Sequence, residues 1–370
     1  MNVYSTHLGF RWLAALALVA SVAVAAPVPL AERTPDGFKV PQPGTRFTFP
    51  RDHGSHPEFK IEWWYLTGHL EAEAESEARF GFQATFFRQA SPDGSSAIYL
   101  SHMAVVNVTT GEFLHQERLN RPGWDAGAAT TTLDVHNGPW SLRLEDPDTE
   151  RMRLLGGVRA EAMFDLSLVP EKPLVVFGKD GVSRKGSGPT AASYYLTFSR
   201  LAATGTLAWQ GKKHRVAGLA WMDHEISSSQ LDEDQVGWDW VSMHLPDRRE
   251  VMLYRLRLRD GTSDPASTLT WVDAEGRPEP RPFTWTVLDT WRSPHTGADY
   301  PARVQIETTD PANGAAVTFT VEPLVADQEL TGQLAGIPYW EGACRIRTAD
   351  GTIIGQAYME LTGYAKDLKI

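Results

Sequence analysis

The sequence is poor in cysteine and has no excess of basic residues. Cys344 is the single cysteine among 370 residues, so no disulfide can form within the chain and stability must come from buried cores. The 35 Lys and Arg residues are outnumbered by 46 Asp and Glu residues, which gives a formal net charge of -11. Because a nucleic-acid partner requires a basic face, this balance argues against one. The charge balance does not argue against small uncharged or apolar ligands.

The motifs of several common enzyme classes are also missing. The chain has no H-E-x-x-H motif or cysteine pair for zinc, and no G-x-S-x-G motif for a serine nucleophile. No glycine-rich loop follows a strand and opens a helix, so no nucleotide cofactor is implied. His53 and His56 form H-x-x-H close to three other possible ligands, Glu58, Glu62 and His69. We expect these two histidines to fasten the preceding loop, and we predict neither a metal nor a cofactor.

The first residues predict a secretory signal peptide. A weakly basic start precedes the apolar run 12–24, and Ala23-Val24-Ala25 fits a small-x-small cleavage site. The run is shorter than the roughly 20 apolar residues that a membrane span needs. We therefore expect residues 1–26 to be removed by cleavage near Ala25 or Ala26. A periplasmic or secreted protein without a membrane span would result.

The rest of the chain favours short strands over helices. Hydrophobic residues make up 42%, and 13 Trp, 31 Gly and 24 Pro are present, which suits an all-β fold with many turns. No long segment has a convincing helical period. After an extended lead-in at 27–48, we expect strands at 61–70, 79–88, 98–108, 140–144, 160–168, 194–201, 251–259, 283–288, 302–308, 315–321 and 352–361.

The second half of the chain repeats the opening of the first. Residues 62–70, EWWYLTGHL, align without gaps on residues 237–245, GWDWVSMHL. Each segment is followed by a charged turn and a second strand, so the match extends to the same hairpin. This repeat predicts two related antiparallel β domains, barrels or sandwiches, at 49–228 and 229–370.

Residues 221–245 concentrate titratable and aromatic side chains more than any other window. Alternation along a strand places Asp239 on one face with Val241, Met243 and Leu245. A carboxyl on an apolar face is costly to ionise, so its pKa should rise and it could serve as a proton donor. The alternative is that Asp239 caps a strand end or pairs with an arginine.

Two other carboxylate positions are candidates for chemistry. Asp223, His224 and Glu225 follow an apolar run and form either an acid-base cluster at a strand end or a solvated turn. Glu62 shares a face with apolar neighbours in the first half, where a structural role is the alternative. Serines at 227–229 beside His224 leave a non-standard serine mechanism open.

Five segments resemble a known family in the family's own order. FPRDHGSHPEFKIEWWYLTGHL, MDHEISSSQL, GWDWVSMHL, YWEGACRI and AYMELTGY are similar to the secreted AttH-like proteins, which share a superfamily with the carotenoid 1,2-hydratases. The resemblance spans nearly all of the expected mature chain. It implies two tandem lipocalin-like antiparallel β-barrel domains. It also implies catalysis without a cofactor.

The resemblance suggests a reaction and its residues. In the hydratase branch an acid protonates a terminal alkene, a tertiary carbocation forms, and water captures it. Asp239 would be the donor, Asp223, His224 and Glu225 would activate water, and a ligand would contact Trp238, Trp240, Trp63, Tyr65, Tyr254 and Glu62. An apolar isoprenoid or lipid-like molecule would be the partner. A non-catalytic carrier of such a ligand and a secreted ester hydrolase are the alternatives, and the oligomeric state does not follow from the sequence.

Overall fold

The computed structural model describes residues 28–73, 78–334 and 336–368. The expected signal peptide lies outside these residues. Within them, no helix is long and apolar enough to cross a membrane. Strands make up the architecture, accompanied by one short 3-10 helix at Arg51–His53. The chain is thus all-β, as the sequence predicted.

The first sheet contains the strands β1 to β13. Its hydrogen-bonded order is β4-β3-β2-β1-β13-β12-β9-β8-β7-β6-β5, and β10 and β11 pair with β12. The bounds are β1 Ile61–Ala72, β2 Arg79–Ala90, β3 Ala97–Asn107, β4 Glu112–Asn120, β5 Ala126–Ala128, β6 Asp134–Asn137, β7 Trp140–Asp146, β8 Arg151–Val158, β9 Ala162–Pro170, β10 Val175–Phe177, β11 Ser183–Arg184, β12 Ala192–Trp209 and β13 Lys212–Ser229.

The second sheet contains the strands β14 to β23. Its order is β17-β16-β15-β14-β23-β22-β20-β19-β18, and β21 pairs with β22. The bounds are β14 Gln235–His244, β15 Glu250–Leu258, β16 Thr268–Val272, β17 Pro278–Arg281, β18 Thr284–Arg292, β19 Asp299–Thr309, β20 Ala316–Pro323, β21 Glu329–Leu330, β22 Tyr339–Arg347 and β23 Ile353–Leu361. Both sheets are antiparallel and barrel-shaped, which gives the two lipocalin-like barrels that the resemblance implied.

The repeated segments occupy equivalent places in the two sheets. β1 lies between β2 and β13, the last strand of the first sheet, and β14 lies between β15 and β23, the last strand of the second. Each therefore starts a meander on one side and pairs with the closing strand on the other. The sequence repeat corresponds to a repeat of topology.

Side-chain alternation gives each barrel its own core. On β2, Phe80, Phe82, Ala84 and Phe86 are buried in the core of the first barrel. Val241, Met243 and other inward residues of the second sheet form a separate core. A third cluster joins the sheets through their outer faces, because it includes Tyr65 of β1 and Trp240 of β14. Both faces of β1 and β14 are therefore covered by protein: the inner face by the core of its own barrel and the outer face by the cluster between the sheets.

Candidate active site

A cavity of about 330 Å³ lies between the two sheets. Its walls come from β1, β2, β3, β12 and β13 on one side and from β14, β15, β22 and β23 on the other. The barrel interiors are filled by apolar cores, so the ligand-sized space lies outside both barrels. Its volume falls at the lower end of the range of small-molecule sites, which is about 300–1,000 Å³.

Strand register arranges the first-sheet wall of the cavity in rows. Asp223 of β13, Tyr65 of β1, Thr85 of β2 and His102 of β3 are paired in sequence across four adjacent strands. All four line the cavity. The next row along the strands lines it too and is mostly apolar: Glu225, Trp63, Phe87 and Leu100. The cavity therefore has a polar row beside an aromatic and aliphatic one.

Asp223 is a buried carboxyl with neutral hydrogen-bond donors around it. Its side chain accepts from Tyr195 Oη at 2.7 Å, Thr197 Oγ1 at 2.6 Å and Trp221 Nε1 at 2.7 Å. Burial raises the pKa of Asp223 to about 7, although these three hydrogen bonds oppose the shift. The Asp223 carboxyl therefore exchanges a proton close to neutral pH, and the three hydrogen bonds stabilise its anionic form.

Glu360 reaches the same cavity from β23 of the second sheet. It accepts one side-chain hydrogen bond within the described residues, from Trp238 Nε1 to Oε2 at 2.8 Å. Burial raises the pKa of Glu360 to about 7, and the negative charges of Asp223 and Glu225 add to the shift. Glu360 is half-buried and lines the cavity, so it has surface available to a ligand there. It is a carboxyl that can be loaded with a proton near neutral pH.

The third cavity carboxyl, Glu225, has a cationic partner. Lys185 Nζ lies 3.1 Å from Glu225 Oε2, and both side chains are buried. The same ammonium lies 4.5 Å from the ring centroid of Tyr195 and 4.2 Å from that of Tyr254. The ion pair and the two aromatic faces fix Lys185 at the cavity wall. Glu225 and Lys185 thus balance each other's charge.

Aromatic side chains from equivalent strands enclose the carboxyls. Trp63 and Tyr65 of β1 face Trp238 and Trp240 of β14 across the cavity, and the rings of Tyr65 and Trp240 meet edge to face at 5.1 Å. Trp240 Nε1 donates to Tyr195 Oη at 2.9 Å. The positions that were aligned in the sequence repeat therefore form opposite walls of one cavity.

The family follows from comparison with known proteins. Residues 40–364 match the AttH-like family. This chain belongs to the AttH-like family. No curated protein matches it. Two crystal structures are similar to the AttH-like fold described here. A candidate AttH from Nitrosomonas europaea is 34% identical, with a TM-score of 0.78, covering 87% of this chain and 98% of that chain.

Kievitone hydratase from Nectria haematococca is the second structural relative of this AttH-like protein. It is 16% identical, with a TM-score of 0.65, and the match covers 92% of this chain and 98% of that chain. At this identity the likeness concerns the fold alone.

Asp239 does not lie where the sequence analysis placed a proton donor. It shares a face with Val241 and Met243, as expected, but that face points into the barrel core and away from the cavity. Its carboxylate accepts from Arg255 Nη1 at 2.8 Å, from Arg257 Nη1, and from Tyr364 Oη at 2.8 Å. Two guanidinium groups replace the expected apolar surroundings, so the arrangement matches the structural alternative of an arginine partner.

The segment Asp223-His224-Glu225 is neither a strand end nor a solvated turn. It lies inside β13, and alternation splits it. Asp223 and Glu225 line the cavity, whereas His224 points to the opposite face. There His224 Nε2 lies 3.0 Å from Glu62 Oε1.

Glu62 is the centre of a buried network on that opposite face. Its carboxylate accepts from Ser55 Oγ at 2.8 Å and Arg88 Nε at 3.1 Å, and lies 2.9 Å from His56 Nδ1. Burial would raise the pKa of Glu62, but the hydrogen bonds to His224 and His56 and the charge of Arg88 outweigh it and lower the pKa well below its usual value. His56 is also bonded to Asp52, so the side chain of His56 joins the loop before β1 to Glu62 of that strand. Glu62 does not line the cavity.

The same network holds the group of atoms best placed for a metal. One ligand atom each from His56, Glu62 and His224 lie within 4.8 Å of one another. However, Arg88 already pairs with Glu62, and both ring nitrogens of His56 have carboxylate partners. A divalent cation would have to displace these bonds, so the geometry suits an ion-paired network that anchors the loop.

The serines beside His224 are engaged elsewhere. Ser227 Oγ donates to the Ala192 carbonyl at 2.7 Å, and Ser228 Oγ donates to the Lys39 carbonyl at 2.5 Å. In the described part of the chain, no hydrogen bond joins either hydroxyl to His224. The arrangement gives no support to a serine nucleophile.

Several cavity residues were missed by sequence reasoning, among them Lys185, Tyr195 and His102. Glu360 and Tyr339 were not singled out, although they lie within AYMELTGY and YWEGACRI, two of the segments that carried the family resemblance. For Glu360, the available signal was a carboxyl near the end of a mostly apolar and aromatic strand. Seven of the predicted side chains do meet at the cavity: Asp223, Glu225, Trp63, Tyr65, Trp238, Trp240 and Tyr254.

Proposed function

We propose that this AttH-like protein is a cofactor-free hydratase. It binds an apolar, isoprenoid-like molecule between its two sheets and adds water across a terminal alkene. The observation that supports this most is that Asp223 and Glu360, both with pKa values raised to about 7, line one largely aromatic cavity. A simple carrier would need no proton-loaded acid in its binding site.

Glu360 is the proton donor in this proposal. Its Oε2 is occupied by Trp238, which leaves the other oxygen for a ligand. The O–H bond of the carboxyl breaks, and the alkene π electrons form a C–H bond at the less substituted carbon. A tertiary carbocation remains on the substrate and a carboxylate on Glu360. The rings of Trp63, Trp238 and Trp240 stabilise the cation.

Asp223 receives the proton that water releases. The oxygen of water forms a C–O bond to the carbocation, and the extra proton on that oxygen passes to the Asp223 carboxylate. Two carboxyls in one desolvated site resist ionising together, so one is protonated while the other is ionised near neutral pH. Solvent then returns the two carboxyls to their starting states.

Two further observations support the proposal: the structural similarity to a hydratase and the signal-like N-terminal residues. A structural neighbour carries the name hydratase, which is compatible with water addition on this scaffold. The signal-like residues 1–26 support action in the periplasm or outside the cell, where a cofactor-free reaction needs no supply of nucleotides.

The decisive test is turnover by a matched pair of proteins. Wild type and Glu360→Gln are given an acyclic isoprenoid with a terminal trisubstituted alkene, and hydrated product is measured by mass spectrometry. Glutamine retains the acceptor for Trp238 but cannot donate the proton, so we expect the rate to fall about 10²- to 10⁴-fold. Equal turnover would remove Glu360 from the mechanism, and absence of product from both would favour a carrier.

Asp239→Asn is the control for loss of a buried carboxylate. It leaves two guanidinium groups without their anionic partner, and such a change typically costs about 3–5 kcal/mol of stability. We expect a clearly lower melting temperature and unchanged turnover per folded molecule. A loss of turnover at full folding would return Asp239 to the mechanism.

A further inference from the structure

The cavity between the sheets opens at one corner of the first sheet, and its mouth is largely apolar. Most side chains that line the cavity are buried, but Ile98 of β3 is 43% exposed and Leu119 of β4 is 46% exposed. Gln89, the cross-strand partner of Ile98, is the exposed polar residue of the lining. Leu100 and Ile337 also line the cavity and are half-buried. A ligand therefore enters past aliphatic side chains that face the solvent.

Two further exposed apolar side chains belong to the same corner. The backbone N–H of Leu334 donates to Glu117 Oε2 at 2.8 Å, and Glu117 shares a face of β4 with Leu119. The side chain of Leu334 is 53% exposed. Trp124 lies in the connection 121–125 that directly follows β4, and it is 90% exposed. We call Ile98, Leu119, Trp124 and Leu334 the mouth patch.

The position of the mouth patch narrows what can cover it. Clustered exposed apolar side chains mark an interaction surface, and this surface is continuous with the cavity. A second copy of the chain would close the mouth, and it would bring a second net charge of -11 against the first. A lipid bilayer admits an apolar molecule to the mouth directly, and tryptophan favours the boundary between lipid and water. The occupant that fits is therefore a bilayer surface.

The charge of the chain sets the kind of lipid. A net charge of -11 is repelled by an anionic bilayer. Within the connection that holds Trp124, Arg121 and Asp125 carry opposite charges and leave no net charge locally. Insertion of apolar side chains must therefore supply the binding free energy, which scales with the apolar area buried in the interface.

We propose that the mouth patch docks on a zwitterionic lipid bilayer, so that an apolar molecule passes from the lipid into the cavity without crossing water. Trp124 is the anchor, because it is the most exposed of the large hydrophobic residues described and does not line the cavity. Ile98 and Leu119 belong to both the patch and the cavity lining, so they connect the lipid to the cavity. The docking surface rests on exposure and charge, and not on the reaction proposed for the cavity.

The test is flotation of the protein with phosphatidylcholine vesicles on a density gradient. The protein begins at residue 27, because the apolar run 12–24 would itself bind lipid. Wild type should float with the vesicles. Trp124→Ser should lower the partition coefficient about 10-fold and Leu334→Ser about 3-fold, since each removes apolar area that the lipid would bury. Because both side chains are exposed, the melting temperatures should stay the same.

Leu288→Ser is the matched control for Leu334→Ser. Leu288 is an exposed leucine on β18 that does not line the cavity, so its loss should leave flotation unchanged. Replacing part of the phosphatidylcholine by phosphatidylglycerol should not strengthen binding, and added salt should not release the protein.

Several results would overturn the inference. These are no flotation of wild type, equal flotation of wild type and Trp124→Ser, equal losses in Leu288→Ser and Leu334→Ser, or flotation that requires phosphatidylglycerol. A wild-type dimer that Trp124→Ser converts to a monomer would assign the patch to a second copy instead. Flotation that depends on the patch, in a protein that forms no hydrated product, would support the docking surface and refute the hydratase alone.

Discussion

At the scale of single residues, the decisive difference among the buried acids is whether a cation lies beside them. Asp239 has two arginines, Glu62 has Arg88, and Glu225 has Lys185. Among the residues that the structure describes, the side-chain hydrogen-bond donors to Asp223 and Glu360 are all neutral: Tyr195, Thr197, Trp221 and Trp238. Burial without a cation favours the protonated carboxyl, so among the carboxyls that line the cavity these two are able to deliver a proton near neutral pH.

The raised pKa of Glu360 predicts a pH dependence of stability. The folded pKa is about 7 and the ordinary value is 4.5, so the folded state binds the proton more tightly. The resulting stability is fully present below about pH 4.5 and is lost as the pH rises through 7. Wild type should therefore lose more melting temperature between pH 5 and pH 8 than Glu360→Gln, in which the group cannot titrate. Equal losses in both proteins would contradict the assignment.

The sequence predicted which side chains share one face of a strand. It did not predict which of the two faces meets the cavity. Strand alternation correctly separated Trp238 and Trp240 from Asp239. It could not show which face meets the cavity, nor that Arg255 lies directly across from Asp239 on the paired strand. A cationic partner on another strand depends on register, and register requires the folded sheet.

At the scale of elements, β13 shows why hydrophobic patterns find some strands and miss others. The sequence predicted β1, β2 and β3 within a few residues because one of their faces is rich in aromatic and aliphatic side chains. In β13 the segment from Asp223 to Ser228 is buried and, apart from Ile226, polar. Its polar side chains pair with groups elsewhere in the chain, on other strands and in loops, and a pattern of apolar residues contains no record of those partners.

Close packing between strands of different sheets depends on Gly81 of β2. A Cβ at this position would lie 2.6 Å from Ala343 Cβ of β22 and 2.9 Å from Val106 Cγ1. We expect Gly81→Ala to push the sheets apart, to cost about 1–3 kcal/mol of stability, and to weaken ligand binding in the cavity. Gly123→Ala is the control because nothing lies within 4 Å of its Cβ. Equal melting temperatures and affinities in the two variants would show that this contact is dispensable.

At the scale of the whole molecule, the site depends on two sheets placed face to face. The sequence repeat indicated two related units, and the family resemblance indicated two barrels. Neither indicated that the repeated segments face each other, because the packing of one unit on another leaves no periodic signal in the chain. A cavity formed in this way requires that the sheets hold a fixed relative position.

A buried ion cluster between the sheets provides such a connection. Glu250 of β15 pairs with Lys172 at 2.5 Å and with Arg200 of β12 at 2.6 Å. We expect wild type to unfold in one calorimetric transition and Glu250→Ala to lose about 3–5 kcal/mol, because two cations are left buried without an anion. Glu171→Ala removes an exposed pair with Arg248 across the same junction and should cost about 1 kcal/mol or less. Similar losses in the two variants would argue against the cluster as the connection.

The central claim is that the cavity holds carboxyls that carry a proton near neutral pH. Infrared titration of the C=O stretch of protonated carboxyls measures this without knowledge of the substrate. Difference spectra of wild type against Glu360→Gln and against Asp223→Asn should each show a protonated-carboxyl band that disappears with an apparent pKa of about 7. If neither variant removes a band above pH 6, both carboxyls are ionised at working pH and the acid mechanism proposed here is excluded.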